Sequence, residues 1–303
     1  RIIKVINPDV VQTWQYHADL LGGLAARLAG IKTVSWGIRN GELPPEHSKF
    51  STQEVRRICS WLSYWLPKKI LFNSREAQAV HATVGYDERK FEVIPNGFDI
   101  YEGRTKTETR ATVRRELDLS EDTLLVGFIA RIDPVKNHEG FLETAALIHA
   151  DLPEVHYVMA GRNVDESNQD LLRMIEDYKL SKCVHLLGHR KDIEKLMTGI
   201  DVHVSASHTE AFPNVIGEAM AGGTPSVATD VGDSAWIIGE TGKVVPRGNM
   251  QALAEGVTDL LIMPFENRQA LGRKARARIK EEFEIGKVAG LYQQYFFDLA
   301  DSH

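Results

Sequence analysis

The chain has 303 residues, enough at about 100–200 residues per domain for two domains that each bury a core. A net charge of −6 excludes a global basic field for nucleic acid, and no run reaches the ~20 apolar residues of a membrane span or shows a signal peptide. Two cysteines, Cys59 and Cys183, lie far apart without metal-ligand spacing, which indicates a reduced, cytoplasmic protein rather than a disulfide scaffold.

Residues 1–100 alternate strand-like and helix-like segments. Residues 9–14 read as a strand, and 17–29 carry apolar side chains at helical spacing despite Gly22 and Gly23. Residues 31–36 form a second strand. Residues 51–66 are helical, opened by Ser51 or Thr52 as cap and stopped before Pro67. The apolar band of this helix (Val55, Ile58, Trp61, Leu62, Trp65, Leu66) reads first as core packing, because the helix holds two arginines and no lysine. Peripheral contact with a membrane surface is the other reading. Strands at 69–73 and 91–95 flank a helix at 74–84. Such alternation predicts a parallel sheet with crossover helices.

Residues 100–122 are charged and weakly apolar, and read as a linker followed by a short amphipathic helix. A second unit opens with a buried strand at 124–130. Helices at 137–150, 168–178 and 192–198 then alternate with strands at 155–160 and 184–187. After the stretch 201–233 come a short strand at 242–245 and helices at 250–263, 266–282 and 285–299. The whole predicts two doubly wound α/β domains that bind ligand at their strand carboxyl ends.

Residues 201–233 are the most informative stretch. Two short apolar runs bounded by Gly, Pro, Asp and Ser have the pattern of strands buried on both faces. Between them a helix begins at the Phe212-Pro213-Asn214 step, where proline suits the first turn, and ends at Gly222-Gly223. The free N–H groups and the dipole at that helix start favour an anion. Glu210 precedes the helix and Glu218 lies on it, with seven residues between. A carboxylate part-way along such a helix suits a diol, accepting two O–H hydrogen bonds. On spacing alone the pair reads as a solvated acidic face; the flanking residues reverse that.

The string EAFPN, with GEAMAGGTPSVATD and VGDSA after it, resembles the Glu-x7-Glu motif of the retaining nucleotide-sugar glycosyltransferases of family 4, which have the GT-B fold. The likeness covers nearly the whole chain but starts late, since the family has further strands and a Gly-rich loop ahead of residue 9. It implies an α/β fold of GT-B type: two Rossmann-like doubly wound domains facing across a cleft, the N-terminal one incomplete. The expected domains are 1–100 on the acceptor side and 101–284 for the nucleotide-sugar. The helix 285–303 either packs back on the first domain, as in the family, or closes the second.

Arg131 and Lys136, in the order RIDPVKN after a strand, are either solvated surface cations or a clamp for a diphosphate. In the family such an Arg-x-x-P-x-K run binds the donor phosphates, usually with Gly where Asn137 stands here. The resemblance implies that Glu210 faces the donor sugar, that Glu218 holds the ribose, and that Phe212, Pro213 and Asn214 turn their backbone toward sugar and phosphate. Ala211 replaces a common family glycine. Gly161 with Asn163, and Gly188 with Arg190, resemble the wall of the nucleotide base, Arg190 stacking on it; plain turn chemistry is the alternative for the glycines. His17 and His208 lie near strand ends and read as structural histidines before bases. Arg39 stands where the family has a histidine, and would bind an anionic acceptor, the donor phosphate, or only solvent. No metal signature, G-x-G-x-x-G or P-loop is present.

The implied activity is transfer of a sugar from a nucleotide-sugar, a UDP-sugar before GDP or ADP, to a saccharide or lipid-linked acceptor with retention, in polysaccharide or glycolipid biosynthesis. It needs no cofactor, the nucleotide-sugar being a substrate, and no metal. It would take place in the cytoplasm or at the cytoplasmic membrane face. A sugar-nucleotide epimerase or phosphorylase on the same scaffold, or a non-catalytic nucleotide-sugar-binding protein, is the alternative.

Overall fold

The computed structural model describes residues 1–42, 49–101, 103 and 105–301. The chain divides into two units: Arg1–Gly97 with Glu210–Phe212 and Ile285–His303, and Phe98–Thr209 with Pro213–Glu284. The first boundary falls at 97/98 rather than 100/101. Within the expected linker, Glu102 and Arg104 lie outside the described residues, as do residues 302 and 303, to which the last helix was expected to run.

The first unit runs α1 (Ile2–Ile6), β1 (Val11–Trp14), α2 (Tyr16–Leu28), β2 (Val34–Ile38), α3 (Phe50–Leu62), β3 (Lys69–Phe72), α4 (Arg75–Thr83) and β4 (Phe91–Val93). Its four strands pair in chain order, all parallel. Ser74 caps α4, its side chain accepting from the Ala77 N–H. Two expectations are corrected here. The helix expected at 51–66 starts at Phe50 after Lys49, which makes no side-chain cap bond, and ends at Leu62. Its last residues turn early because the Ser63 hydroxyl bonds back to Ser60 O at 2.6 Å. The apolar band of α3 is also split. Val55 and Leu62 pack on the core of Tyr16, Trp36, Ile38 and Phe72, whereas Ile58 is 45% and Trp61 65% exposed, and Trp65 just beyond is 58% exposed.

The second unit runs α5 (Lys106–Glu116), β5 (Leu125–Ile129), α6 (His138–Asp151), β6 (His156–Ala160), α7 (Gln169–Asp177), β7 (Val184–Leu186), α8 (Ile193–Gly199), β8 (Val202–Ser205), α9 (Asn214–Ala221), β9 (Ser226–Thr229), α10 (Ser234–Ile238), β10 (Lys243–Val245), α11 (Met250–Leu261) and α12 (Phe265–Glu282). Its sheet has the order β10-β9-β8-β5-β6-β7, all parallel. Every residue of β5, β8 and β9 is buried, as helices on both faces require. The chain leaves β5 toward β6 and β7, then returns to β8 on the other side of β5. That reversal is where an open α/β sheet receives ligand.

Below the opposite, N-terminal end of β8, the Asp201 carboxylate is buried against Arg110 at 3.0 Å, Arg268 at 3.5 Å and Arg114. Burial alone would raise its pKa, and the three guanidinium groups more than reverse that. This cluster ties α5 and α12 to the sheet, and no sequence spacing announced it.

The last helix, α13 (Ile285–Asp301), belongs to the first unit. Val288, Tyr295 and Leu299 bury against Leu71 and Ile94. The Tyr295 and Ser35 hydroxyls lie 2.5 Å apart.

Candidate functional site

The carboxyl edge of the second sheet collects the residues expected to hold a donor. Arg131 stands two residues past the end of β5 and is exposed. Its guanidinium pairs with Asp133 at 2.5 Å. Asp133 also accepts the Val135 N–H at 3.1 Å, capping the single 3-10 turn Pro134–Lys136 that carries Lys136. Burial would raise the Asp133 carboxyl, but bonds from Val135 and Arg131 and the nearby Lys136 hold it below its usual range. The acid is therefore ionised and fixes both the turn and the arginine.

Asn137 comes next at φ 59, in the left-handed region. It occupies the place of the expected glycine because asparagine tolerates that conformation. Its side chain then does two further things: Nδ2 donates to Ala206 O at 3.1 Å, and Oδ1 accepts the Gly140 N–H at 3.0 Å to cap α6. The His208 N–H donates to Val135 O at 2.7 Å, so the loop after β8 is bonded to the lysine's turn. The His208 side chain itself is exposed.

Gly161 ends β6. A Cβ there would lie 2.0 Å from Ala130 O and 2.8 Å from Arg131 N. Only glycine lets the end of β6 pass so close to the end of β5. Its N–H donates to Gly188 O at 2.8 Å, and the Gly188 N–H to Val164 O at 2.8 Å. The amides of both expected base-wall glycines are thus spent on joining their two turns. Asn163 is left-handed at φ 63, its carbonyl held by Asn168 Nδ2 at 2.9 Å. Arg190 forks onto Asp192 at 2.8 and 2.5 Å and approaches Glu116 at 3.5 Å. With its fork so committed, only the plane of the guanidinium is left for a base.

Pro213 stands at the N-cap position of α9, one place before the first-turn position expected, and gives no side-chain cap. The Ile216 N–H turns back to Pro213 O at 3.1 Å, and the positive end of the helix dipole at this start favours an anion. Gly217 lets the Phe98 ring close on the helix, since a Cβ would meet Phe98 Cζ at 2.1 Å. Glu218 is half-buried one turn into α9, and burial raises its carboxyl pKa. No donor among the described residues compensates that burial. A cavity of 620 Å³ in this unit opens at the other end of α9, lined by Lys106, Thr198, Gly222, Gly223 and Arg273. It is remote from Asn214 and forms no part of the expected site.

Glu210 and Phe212 fall with the first unit. The Ser74 hydroxyl donates to Ala211 O at 3.0 Å. A Cβ on Gly41 would lie 2.9 Å from Glu210 O, so the loop runs against Gly41. Phe212 is buried. His17 is exposed on the first turn of α2. Arg39, exposed at the end of β2, lies over the Trp14 ring at 4.6 Å and donates to Asn96 Oδ1 at 2.9 Å. Trp14, Asn96 and Tyr292 were missed in the sequence reading. The one available signal was an aromatic side chain closing a strand at its carboxyl end. Among the described residues no three His, Cys, Asp or Glu side chains gather as a metal site requires. No helix among them is long and apolar enough to cross a membrane.

Two units, each with a parallel sheet and with site residues after its strand carboxyl ends, place the molecule among the GT-B class of α/β proteins. The family is equally plain: the chain belongs to the glycosyl transferases group 1, whose family model matches residues 109–278, and the glycosyltransferase family 4 model matches residues 1–102. Among its relatives is the UDP-Gal:alpha-D-GlcNAc-diphosphoundecaprenol alpha-1,3-galactosyltransferase of Escherichia coli, 26% identical over 238 residues, 76% of this chain and 60% of the relative. Another is the D-inositol 3-phosphate glycosyltransferase of Corynebacterium urealyticum, 29% identical over 266 residues, 81% of this chain and 62% of the relative. The chain therefore spans about three-fifths of these proteins. Anabaena HepE, crystallised with UDP and glucose, superposes with a TM-score of 0.85 at 22% identity, covering 98% of this chain and 80% of that one. Sucrose-phosphate synthase from Thermosynechococcus elongatus gives 0.82 at 19% identity, covering 98% and 75%. At such identities these two matches establish the fold.

Proposed function

We propose that the protein transfers a sugar from a UDP-sugar to a saccharide or lipid-linked acceptor, with retention at the anomeric carbon. The observation that carries this is Glu218: a carboxylate desolvated by the fold, one turn beyond a helix start without a side-chain cap, matches a ribose diol beside a diphosphate. The glycosidic bond to the diphosphate breaks and charge grows on the leaving phosphate. Arg131, Lys136 and the start of α9 stabilise that charge more in the transition state than in the ground state. Glu210 orients the sugar. The acceptor hydroxyl attacks from the face that the leaving group vacates, and a donor phosphate oxygen takes its proton, as the family resemblance implies. No metal or cofactor is required by this scheme, because two cations and a helix end neutralise the diphosphate.

The relatives support the substrate classes. The E. coli enzyme is named for a UDP-sugar donor and a diphosphate-linked acceptor, and the corynebacterial enzyme for a phosphorylated one. Work on a lipid-linked acceptor in polysaccharide or glycolipid synthesis would bring the outer face of α3 to a cytoplasmic membrane surface. Glu210→Ala and Lys136→Ala should each lower turnover by about 10²–10³-fold with the melting temperature unchanged. Wild-type turnover in both ends the reading. Tight UDP binding by calorimetry separates it from a phosphorylase, and slow UDP-sugar hydrolysis from a binding protein without chemistry.

A further inference from the structure

At the carboxyl edge of the first sheet a cation is set as if for an anionic ligand of its own. Arg39 comes directly after β2, and its guanidinium lies over the indole of Trp14 at 4.6 Å. The same indole passes close to Gly37, where a Cβ would come within 2.2 Å of Trp14 Cε3. The ring is therefore a shelf that touches both a glycine and an arginine. Asn96 Oδ1 accepts from Arg39 Nη1 at 2.9 Å, and the Tyr292 hydroxyl lies 3.4 Å from Nη2. All these partners are neutral, and among the described residues no carboxylate pairs with Arg39. Its exposed positive charge is oriented but not compensated, unlike that of Arg190 or Arg110.

The backbone beside the shelf is held in an unusual shape. Gln15, directly after Trp14, has φ 74 and ψ 152, a region that is essentially reserved for glycine. Its N–H donates to Gly37 O at 2.8 Å, and the neighbouring Thr13 hydroxyl donates to the buried Asp19 at 2.5 Å. The strained backbone is thus tied down by bonds on either side of the indole. Two residues past Arg39, Gly41 receives the backbone of Glu210, which is expected to face the transferred sugar.

We propose that Arg39 binds the phosphate or diphosphate of an anionic acceptor, with Trp14 as the positioning residue that presents the guanidinium. This rests on the glycosyltransferase reading above and deepens it, since the donor diphosphate has its own cations in Arg131 and Lys136. The acceptor class is then a saccharide that already carries a phosphate ester near its reactive hydroxyl.

The probe is an alkyl-linked sugar 1-diphosphate, with the matching uncharged alkyl glycoside as control, titrated into the whole chain by calorimetry with and without saturating UDP. The wild type should bind the diphosphate at least about tenfold tighter than the glycoside in the presence of UDP. Arg39→Gln should lose that preference, weakening the diphosphate about 10–100-fold. Trp14→Ala should lose part of it and Trp14→Phe regain it, all with melting temperatures near wild type. The proposal falls if the wild type shows no preference, if Arg39→Gln keeps it, or if UDP displaces the probe, which would place it in the donor site. A chain that fails to bind UDP but still loses the probe in Arg39→Gln overturns the donor reading and leaves this one standing.

Discussion

Glu218 is a half-buried carboxylate that gains nothing from its own chain, and burial disfavours its charged form. Such a group costs stability until a ligand donates hydrogen bonds to it. Glu218→Gln should therefore melt higher than wild type without ligand, by roughly 2 °C if about 1 kcal/mol is relieved in a chain this long. The same variant should bind UDP about 10–100-fold more weakly by calorimetry, since a charge-assisted bidentate contact is lost. A variant that neither melts higher nor binds UDP more weakly removes Glu218 from the site. Single residues were legible here to different depths. Asn137 stood out in sequence as a departure from glycine, and its left-handed backbone accounts for it. The commitment of Arg190 to Asp192 was open to reading two residues away, yet charge order alone does not say whether a pair closes. Trp14 was passed over because its place on the sheet depends on Gly37, twenty-odd residues later.

At the scale of elements, periodicity locates a helix but not the arc its neighbours cover. In α3 the apolar band is wider than the groove that receives it, so Val55 and Leu62 reach the core while Ile58, Trp61 and the following Trp65 face out. The two indoles pack edge to face at 4.9 Å, with Arg57 75% exposed beside them and Arg27 bonded to Trp65 O. Aromatic rings flanked by arginines suit the headgroup region of a bilayer. Flotation with vesicles that contain anionic lipid should bring the protein up. The double substitution Trp61→Ser with Trp65→Ser should reduce the bound fraction at least about tenfold without lowering the melting temperature. Equal flotation of the two proteins, or none for the wild type, removes the membrane from the account. Helix α9, by contrast, was legible almost to the residue, because proline before it and glycine after it act locally.

For the whole molecule, two parallel sheets could be read from the sequence because strands buried on both faces carry unbroken apolar runs, and the order of strands and helices leaves few topologies. What local pattern does not carry is which unit a segment joins. The three residues Glu210–Phe212 and helix α13 both fall with the first unit, although the chain around the former belongs to the second. That choice is made by contacts such as Ser74 with Ala211 and Ser35 with Tyr295, which are 137 and 260 residues apart. It has a thermodynamic consequence for α13. Val288, Tyr295 and Leu299 are buried against Leu71 and Ile94. At about 1.5–3 kcal/mol for each large apolar side chain, the three contribute on the order of 5–9 kcal/mol, an upper figure because unfolded chains are partly collapsed. A small domain is stable by only about 5–15 kcal/mol. A chain ending at Glu284 should therefore lose amide-exchange protection across β1–β4 by several orders of magnitude while β5, β6 and β8 stay protected. Restoring α13 as a separate peptide should recover it, and unchanged protection of β3 in the shortened chain would show that the first unit holds without its C-terminal helix.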